Sequence, residues 1–374
     1  MRSMKRSAAR IVAALVLAMT TTASVAQSLP GVVDISGLLW RHREWVGIID
    51  MSPDGSRIVT PSWDGTARVW GYPSEEMFLI LRGHDGWVYT AQYSPDGSTI
   101  VTSSRDRTLR IWDAETGETI RSIEAIGGNG RSQTPTGASY SPDGTRIVAG
   151  YHDNVARIFD AGTGDLLLTL EGHQGLVWTA EFTPDGERII TTSYDNTARI
   201  WDATTGEQLA ELQHDSLVTV AVVSPDGQFV ATGSADATAR LWHIATGMEI
   251  GVFASHSQEV RTIAFSGDGR RLITGSNDMS ARVWNVTNGE LVAVLRGYTV
   301  DVTAVAFSDD GRFVVAGSAI GEMWIWNAET GERVAKLTGH SFEITSVRFA
   351  PDGRHVISSG GDSYVIFWDI GPYL

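Results

Sequence analysis

None of the 374 residues is cysteine. Disulfides, thiolate nucleophiles and zinc–thiolate sites are therefore excluded. Positive charge is scarce as well: 29 Lys and Arg stand against 44 Asp and Glu, for a net charge of −15. Binding to nucleic acid or to an anionic membrane surface rests on neutralising phosphates with basic side chains, so neither is expected as a partner. Apolar runs long enough to cross a bilayer are missing too. The strongest, Ile11 to Met19, is too short to span comfortably.

That run follows Arg2, Lys5, Arg6 and Arg10 and precedes Ser24-Val25-Ala26. A basic start, a short apolar stretch and small residues at a cleavage point are the parts of a secretory leader. The expected organisation is a signal peptide over 1–26 cleaved near Ala26, a short linker over 27–31, and one domain over 32–372. The mature chain would then be periplasmic or extracellular, with no stable membrane insertion. Losing four basic residues and no acids leaves 29 − 4 = 25 basic against 44 acidic groups, a charge of −19. An exported chain without disulfides needs a large core, and 42% hydrophobic residues with 13 Trp can supply one.

What the chain does contain is a phrase used eight times. Pro-Asp-Gly turns, some eroded, end at Gly55, Gly97, Gly144, Gly186, Gly227, Gly269, Gly311 and Gly353. Five of the seven intervals are 42 residues, one is 41 and one is 47. Within residues 84–125, four runs read as strands: Val88–Tyr93, 99–103, 109–112 and 119–123. They are separated by Ser94-Pro95-Asp96-Gly97, Arg105-Asp106-Arg107 and Glu115-Thr116-Gly117-Glu118. In the first of these, Pro presets φ and Gly supplies a positive φ. Each unit is thus a four-stranded antiparallel meander. A lone meander leaves both faces wet, and arranging such sheets around an axis buries them.

The units resemble WD40 repeats from residue 40 to 369. The carrying residues are Gly83-His84, Asp106 and Trp112-Asp113 in the second unit, and Gly172-His173, Asp195 and Trp201-Asp202 in the fourth. The resemblance implies an all-β propeller, usually a platform for protein interaction without catalysis. It also implies a polar tetrad of His, Ser or Thr, Asp and Trp in each unit. Carried over by position, six sets are complete: His42, Thr60, Asp64, Trp70; His84, Thr102, Asp106, Trp112; His173, Thr191, Asp195, Trp201; His214, Thr232, Asp236, Trp242; His256, Thr274, Asp278, Trp284; and His340, Ser358, Asp362, Trp368. The third unit has Arg131, Ala149 and Phe159 around a surviving Asp153, and the seventh has Tyr298, Ala316 and Ile320 beside Trp326. Both are expected to exchange the polar network for apolar packing, with Asp153 left to find a new partner or solvent.

Only six residues follow Trp368, too few for a turn and a fourth strand. The strand Ile35–Leu39 stands before His42 as Met77–Leu81 stands before His84, so it is expected to complete the last sheet. The fold class is then an eight-bladed β-propeller of four-stranded antiparallel blades, closed by an N-terminal strand. Seven blades with one displaced unit is the alternative.

Six Ser/Thr-His-Asp sets mimic hydrolase triads, but catalysis needs one site and not six copies. No repeat position carries a ring of His or carboxylates, so no metal and no cofactor is expected. The inner-strand position of Gln92 is charged only at Asp50, Glu181 and Arg348. Gly127-Gly128-Asn129-Gly130 belongs to the insertion 126–136 and lacks the features of a phosphate loop. Function must therefore sit where the units differ. In the family the resemblance points to, residues flanking the first strand and the residue before the turn Asp face the top. Here these are Trp45 and Trp63; Trp87, Tyr89 and Arg105; His152; and Trp178 and Tyr194 in units one to four. The fifth is bland (Leu217, Thr219, Ala235), and the rest lean acidic with Glu259, Arg261, Asn277, Asp301 and Glu343. Aromatic residues and Arg dominate interface energies. The rim of Trp45, Trp63, Trp87, Tyr89, Arg105, Trp178 and Tyr194 is thus the expected docking surface for a protein or peptide, one with basic groups on the acidic side. Carbohydrate or small-ligand binding by the same rings, and an axial enzyme site, are the alternatives.

Overall fold

The computed structural model describes residues 32–34, 39–74, 76–124 and 133–374. The expected leader over 1–26, the linker over 27–31 and most of the insertion 126–136 lie outside the described residues. Pro135 and Thr136 of that insertion already belong to a strand, Pro135–Tyr140.

Eight sheets form; six are built from four consecutive segments, as the 42-residue spacing requires, and the last two each take in an N-terminal strand. In blade 2 the strands are Val88–Tyr93, Thr99–Ser104, Thr108–Asp113 and Thr119–Glu124, paired antiparallel in that order. The Pro-Asp-Gly phrase closes the first hairpin by a fixed set of bonds. Ser94 Oγ donates to Asp96 Oδ1 at 2.6 Å and accepts the Thr99 N–H at 3.0 Å. Asp96 Oδ1 in turn accepts the Ser98 N–H at 3.0 Å, and Gly97 takes φ +73°. A left-handed residue is needed there, and Gly takes that conformation without a Cβ penalty.

The core lies between blades. Val59, Ala67, Val69 and Leu81 of blade 1 pack with Ala91, Tyr93, Ile100 and Trp112 of blade 2. The same arrangement recurs around the ring, so each blade buries both faces against its neighbours.

Blade 8 comprises Ile344–Phe349, His355–Gly360 and Tyr364–Asp369, and its outer strand is N-terminal. That strand is Leu39–Arg41, antiparallel to Tyr364–Asp369 with Trp40 opposite Val365. Of the expected strand Ile35–Leu39, residues 35–38 lie outside the described residues, and the observed pairing runs on to Arg41. The His42 N–H extends it by donating to the Ser363 carbonyl at 2.8 Å. The first and last blades are also laced near the axis. Thr345 Oγ1 donates to the Val46 carbonyl at 2.6 Å, and Ser359 Oγ to the Gly47 carbonyl at 2.8 Å. One feature has no precedent in the repeat: Val32–Asp34 adds a fifth strand to blade 7, parallel to Arg333–Thr338.

Candidate functional site

The six complete tetrads each form one continuous chain of hydrogen bonds. In blade 4, Trp201 Nε1–H donates to Thr191 Oγ1 at 2.8 Å, Thr191 lies 2.7 Å from His173 Nε2, and His173 Nδ1 lies 2.8 Å from Asp195. The indole can only donate, so the hydroxyl must donate onward to Nε2. The imidazole then carries its proton on Nδ1, facing the carboxylate. The other five repeat this pattern, with the His–Asp contact longest, at 3.3 Å, between His42 and Asp64. The histidines are buried, and the rest of each network is closed by neighbours on the same blade: in blade 2 Asp106 also accepts from the Thr108 hydroxyl at 2.7 Å and from the Asp85 N–H at 3.1 Å. Buried polar groups paired in this way satisfy one another, as a repeated structural network requires.

Blade 3 keeps Ala149 and Phe159 fully buried in apolar packing, as expected; Arg131 lies outside the described residues. Asp153 is buried and takes a new partner, Arg157, through two bonds of 3.1 and 2.7 Å. Arg157 also lies over the Tyr151 ring, 4.5 Å from its centroid. Five of the tetrad blades have Arg at the same offset from their Asp: Arg68, Arg110, Arg199, Arg240 and Arg282. In blade 3, without a His to bind, the Asp turns wholly to it.

Blade 7 corrects the expectation of apolar packing. Tyr298 O–H donates to the Ala316 carbonyl at 2.8 Å and accepts from Trp326 Nε1 at 3.2 Å. One long phenol replaces His and Thr together, and Ala316 leaves it the room. A Tyr298→Phe variant is expected to lose about 1–3 kcal/mol of stability in urea unfolding, because the buried indole N–H is stranded. A loss below about 0.5 kcal/mol would show that the network had not been replaced but abandoned.

On the top face, one backbone bond recurs in every blade. The residue before the turn Asp donates its N–H to the carbonyl of the residue ahead of the first strand. Trp63 donates to Trp45 at 3.0 Å, Arg105 to Trp87 at 2.8 Å, and Tyr194 to Leu176 at 3.1 Å. This bond sets the two side chains of a blade side by side. Trp45 stacks on Trp63 with centroids 5.2 Å apart and planes 16° apart. Trp63 then stacks on Trp87 of the next blade at 4.2 Å and 6°, and the Arg105 guanidinium lies 4.3 Å above Trp87. Phe342 of blade 8 meets the other end of the ladder edge-on, 6.1 Å from Trp45. Gly361 stands where blade 1 has Trp63, and a Cβ there would come within 2.7 Å of the Trp45 ring. The ladder can therefore lie across the blade 8–1 boundary only because that position is bare.

Trp45 and Trp63 are half-buried in the ladder, whereas Trp87, Arg105 and Phe342 are exposed. Trp178 and Tyr194 form a second stacked pair, 5.9 Å apart, and both are exposed. Sequence reasoning missed Phe342 and Gly361. Phe342 sits one residue before the position read for the rim, and a glycine carries no aromatic signal. The acidic side is partly neutralised: Arg261 reaches Glu343 across blade 7 at 3.4 Å, and Asn277 Nδ2 donates to Glu259 at 3.1 Å.

A cavity of about 370 Å³ joins the two aromatic groups. Trp45, Trp63, Tyr89 and Trp178 wall it, and the inner strands of blades 1 to 4 form its lower part with Asp50, Gln92, Ser139 and Glu181. Three of these four lower residues are engaged with a neighbouring blade. Asp50 accepts the Tyr93 N–H at 2.9 Å, Gln92 Oε1 accepts the Tyr140 N–H at 2.8 Å, and Ser139 Oγ donates to the Ala180 carbonyl at 3.1 Å. Arg348 approaches Asp50 to 3.7 Å. Burial raises the Asp50 carboxyl above its ordinary value in spite of these partners. Among the described residues, no group of three or more His, Asp or Glu could hold a metal ion.

The family model described as "WD domain, G-beta repeat" matches eight times, over 37–71, 76–113, 123–160, 164–202, 206–243, 247–285, 289–327 and 331–369. No curated protein matches the chain. Among solved structures it is similar to the computationally designed Ika8 protein, at 26% identity and a TM-score of 0.78, covering 91% of this chain and 100% of that one. A designed relative speaks to architecture. With eight matched repeats and eight blades, this chain belongs to the WD40 repeat family.

Proposed function

We propose that this protein is an exported, non-catalytic scaffold that docks a protein or peptide on the top rim of blades 1 to 4. WD40 propellers are typically non-catalytic platforms for protein partners. The finer reading rests on one observation: the Phe342–Trp45–Trp63–Trp87–Arg105 ladder, a row of stacked rings with exposed edges. Rings held by stacking lose little freedom on binding, and each aromatic pair adds about 0.5–1.5 kcal/mol of rigidity-conferring contact. Pre-organised aromatic anchors are what interface hot spots are made of. Export rests on the leader-like residues 1–26, and among the described residues no helix is long and apolar enough to cross a membrane.

Peptides selected from a random displayed library on the intact protein provide the test. Trp45→Ala, Trp87→Ala and Trp178→Ala are expected to weaken the selected peptides by tenfold or more, about 1.4 kcal/mol or above. Undiminished affinity in all three would remove the rim from consideration. Binding on a glycan array with no peptide selected would favour the carbohydrate alternative. For export, residues 1–31 fused to a reporter that is active only outside the cytoplasm are expected to give activity.

A further inference from the structure

The cavity at the centre of the rim has a chemical character of its own. Its walls are the rings of Trp45, Trp63, Tyr89 and Trp178, and its lining carries two carboxylates, Asp50 and Glu181. Among the described residues no Lys, Arg or His lines it. The two acids differ. Asp50 is committed to the Tyr93 N–H and faces Arg348. Glu181 is open to solvent, and among the described residues its carboxylate has no hydrogen bond and no ion pair. Among the described residues no side chain compensates its charge.

A cavity walled by π faces and carrying an uncompensated carboxylate is complementary to an organic cation. The protein already builds such a contact on its own surface, where the Arg105 guanidinium lies over the Trp87 ring, 4.3 Å from its centroid. A volume of about 370 Å³ is at the lower end of ligand pockets, which run to roughly 300–1,000 Å³, and suits one long side chain rather than a folded element. The overall charge of −15 draws basic partners toward it.

We infer that the rim's partner inserts an arginine side chain into this cavity, its guanidinium between the aromatic walls and facing the Glu181 carboxylate. The inference rests on the docking reading above and specifies what the docked segment must carry. Planar delocalised guanidinium stacks on aromatic faces and pairs with carboxylate through two parallel N–H bonds, which an ammonium does not match.

The test uses N-acetyl-arginine amide and its neutral isostere N-acetyl-citrulline amide, titrated into the full chain and followed by NMR shift changes of the indole N–H groups. Arginine amide is expected to bind at least about tenfold more tightly than citrulline amide. Glu181→Gln is expected to abolish that preference while leaving the fold and the melting temperature unchanged, because the Glu181 carboxylate has no partner among the described residues to lose. Equal binding of the two amides, or a preference that survives in Glu181→Gln, overturns the inference. The two readings fail separately. Selected peptides that need Trp45 and Trp87 but tolerate citrulline at every arginine leave the rim standing and remove the arginine. Arginine-selective binding lost in Glu181→Gln, with peptides indifferent to the rim variants, does the reverse.

Discussion

Asp153→Ala is expected to cost about 3–5 kcal/mol, because it leaves the Arg157 guanidinium buried with no anion. The pair is held by two bonds and both side chains are almost fully shielded, so neither charge can be hydrated in place. Stacking over Tyr151 returns only part of the loss, on the order of 1–2 kcal/mol for a desolvated cation on a ring. Arg157→Met is expected to cost a similar amount by stranding Asp153. The double variant Asp153→Ala/Arg157→Met should then be more stable than the sum of the single losses by several kcal/mol, since neither charge remains. Urea unfolding of the four proteins measures this directly. Single losses below about 1 kcal/mol, or simple additivity, would show that water reaches the pair in solution. In blade 3 this ion pair takes the place of the tetrad, so it is the point at which one substitution can open an otherwise repetitive ring.

Acid is expected to unfold the protein in two stages. Burial lowers His256 from 6.5 to about 4, with the Arg282 charge adding to the effect against Asp278. Burial lowers His42 and His214 in the same direction. A histidine with a depressed pKa binds its proton more readily in the unfolded chain. Stability is therefore full above pH 6.5 and falls as pH drops toward the folded value. For His256 alone the loss is on the order of 3 kcal/mol at about 1.4 kcal/mol per pH unit. The second stage comes from the tetrad aspartates. Burial raises Asp236, but hydrogen bonds from Thr238, His214 and the Asp215 N–H outweigh it and hold the carboxyl at about 2. Asp64, Asp106, Asp195, Asp278 and Asp362 move the same way for the same reason. A depressed carboxylate contributes stability above its unfolded value near 3.8, and loses it as pH falls further. The carboxylates of the Pro-Asp-Gly turns are also held low, but they are exposed and screened, so their share is small. Urea midpoints measured from pH 8 to pH 3 should decline first between 6.5 and 4 and then more steeply. In His256→Gln the first decline should shrink. A midpoint that stays constant from pH 7 to 4.5 would mean the histidines are not buried in their neutral form.

The proposed docking site shows where pattern reading reaches its limit. Trp45 and Trp63 could be placed on one face from the family resemblance, and the structure gives the reason: a backbone bond couples their two positions in every blade. That Trp63 goes on to stack with Trp87 could not, since the contact joins two units and depends on the angle between blades. Phe342 and Gly361 escaped for the same reason: they matter only because blade 8 closes against blade 1. In blade 7 the error was one of chemistry. Tyr in place of His with Ala in place of Thr reads as loss of polarity, yet the longer side chain carries its hydroxyl to the indole.

By itself the sequence determined the number of units, their four-strand order and the turns between them, because each of these is set within about 42 residues by local spacing and turn chemistry; the six tetrads came from the family resemblance, carried over by position. Tertiary structure alone decided the rest. It added Val32–Asp34 to the seventh blade, turned Asp153 to Arg157, ran the aromatic ladder across three blades, and set Glu181 in a cavity walled by tryptophans. The physical reason is the ring itself. Closure brings residues some 300 positions apart into contact, as Val46 and Thr345 are, and no periodicity within one repeat encodes which neighbours meet there.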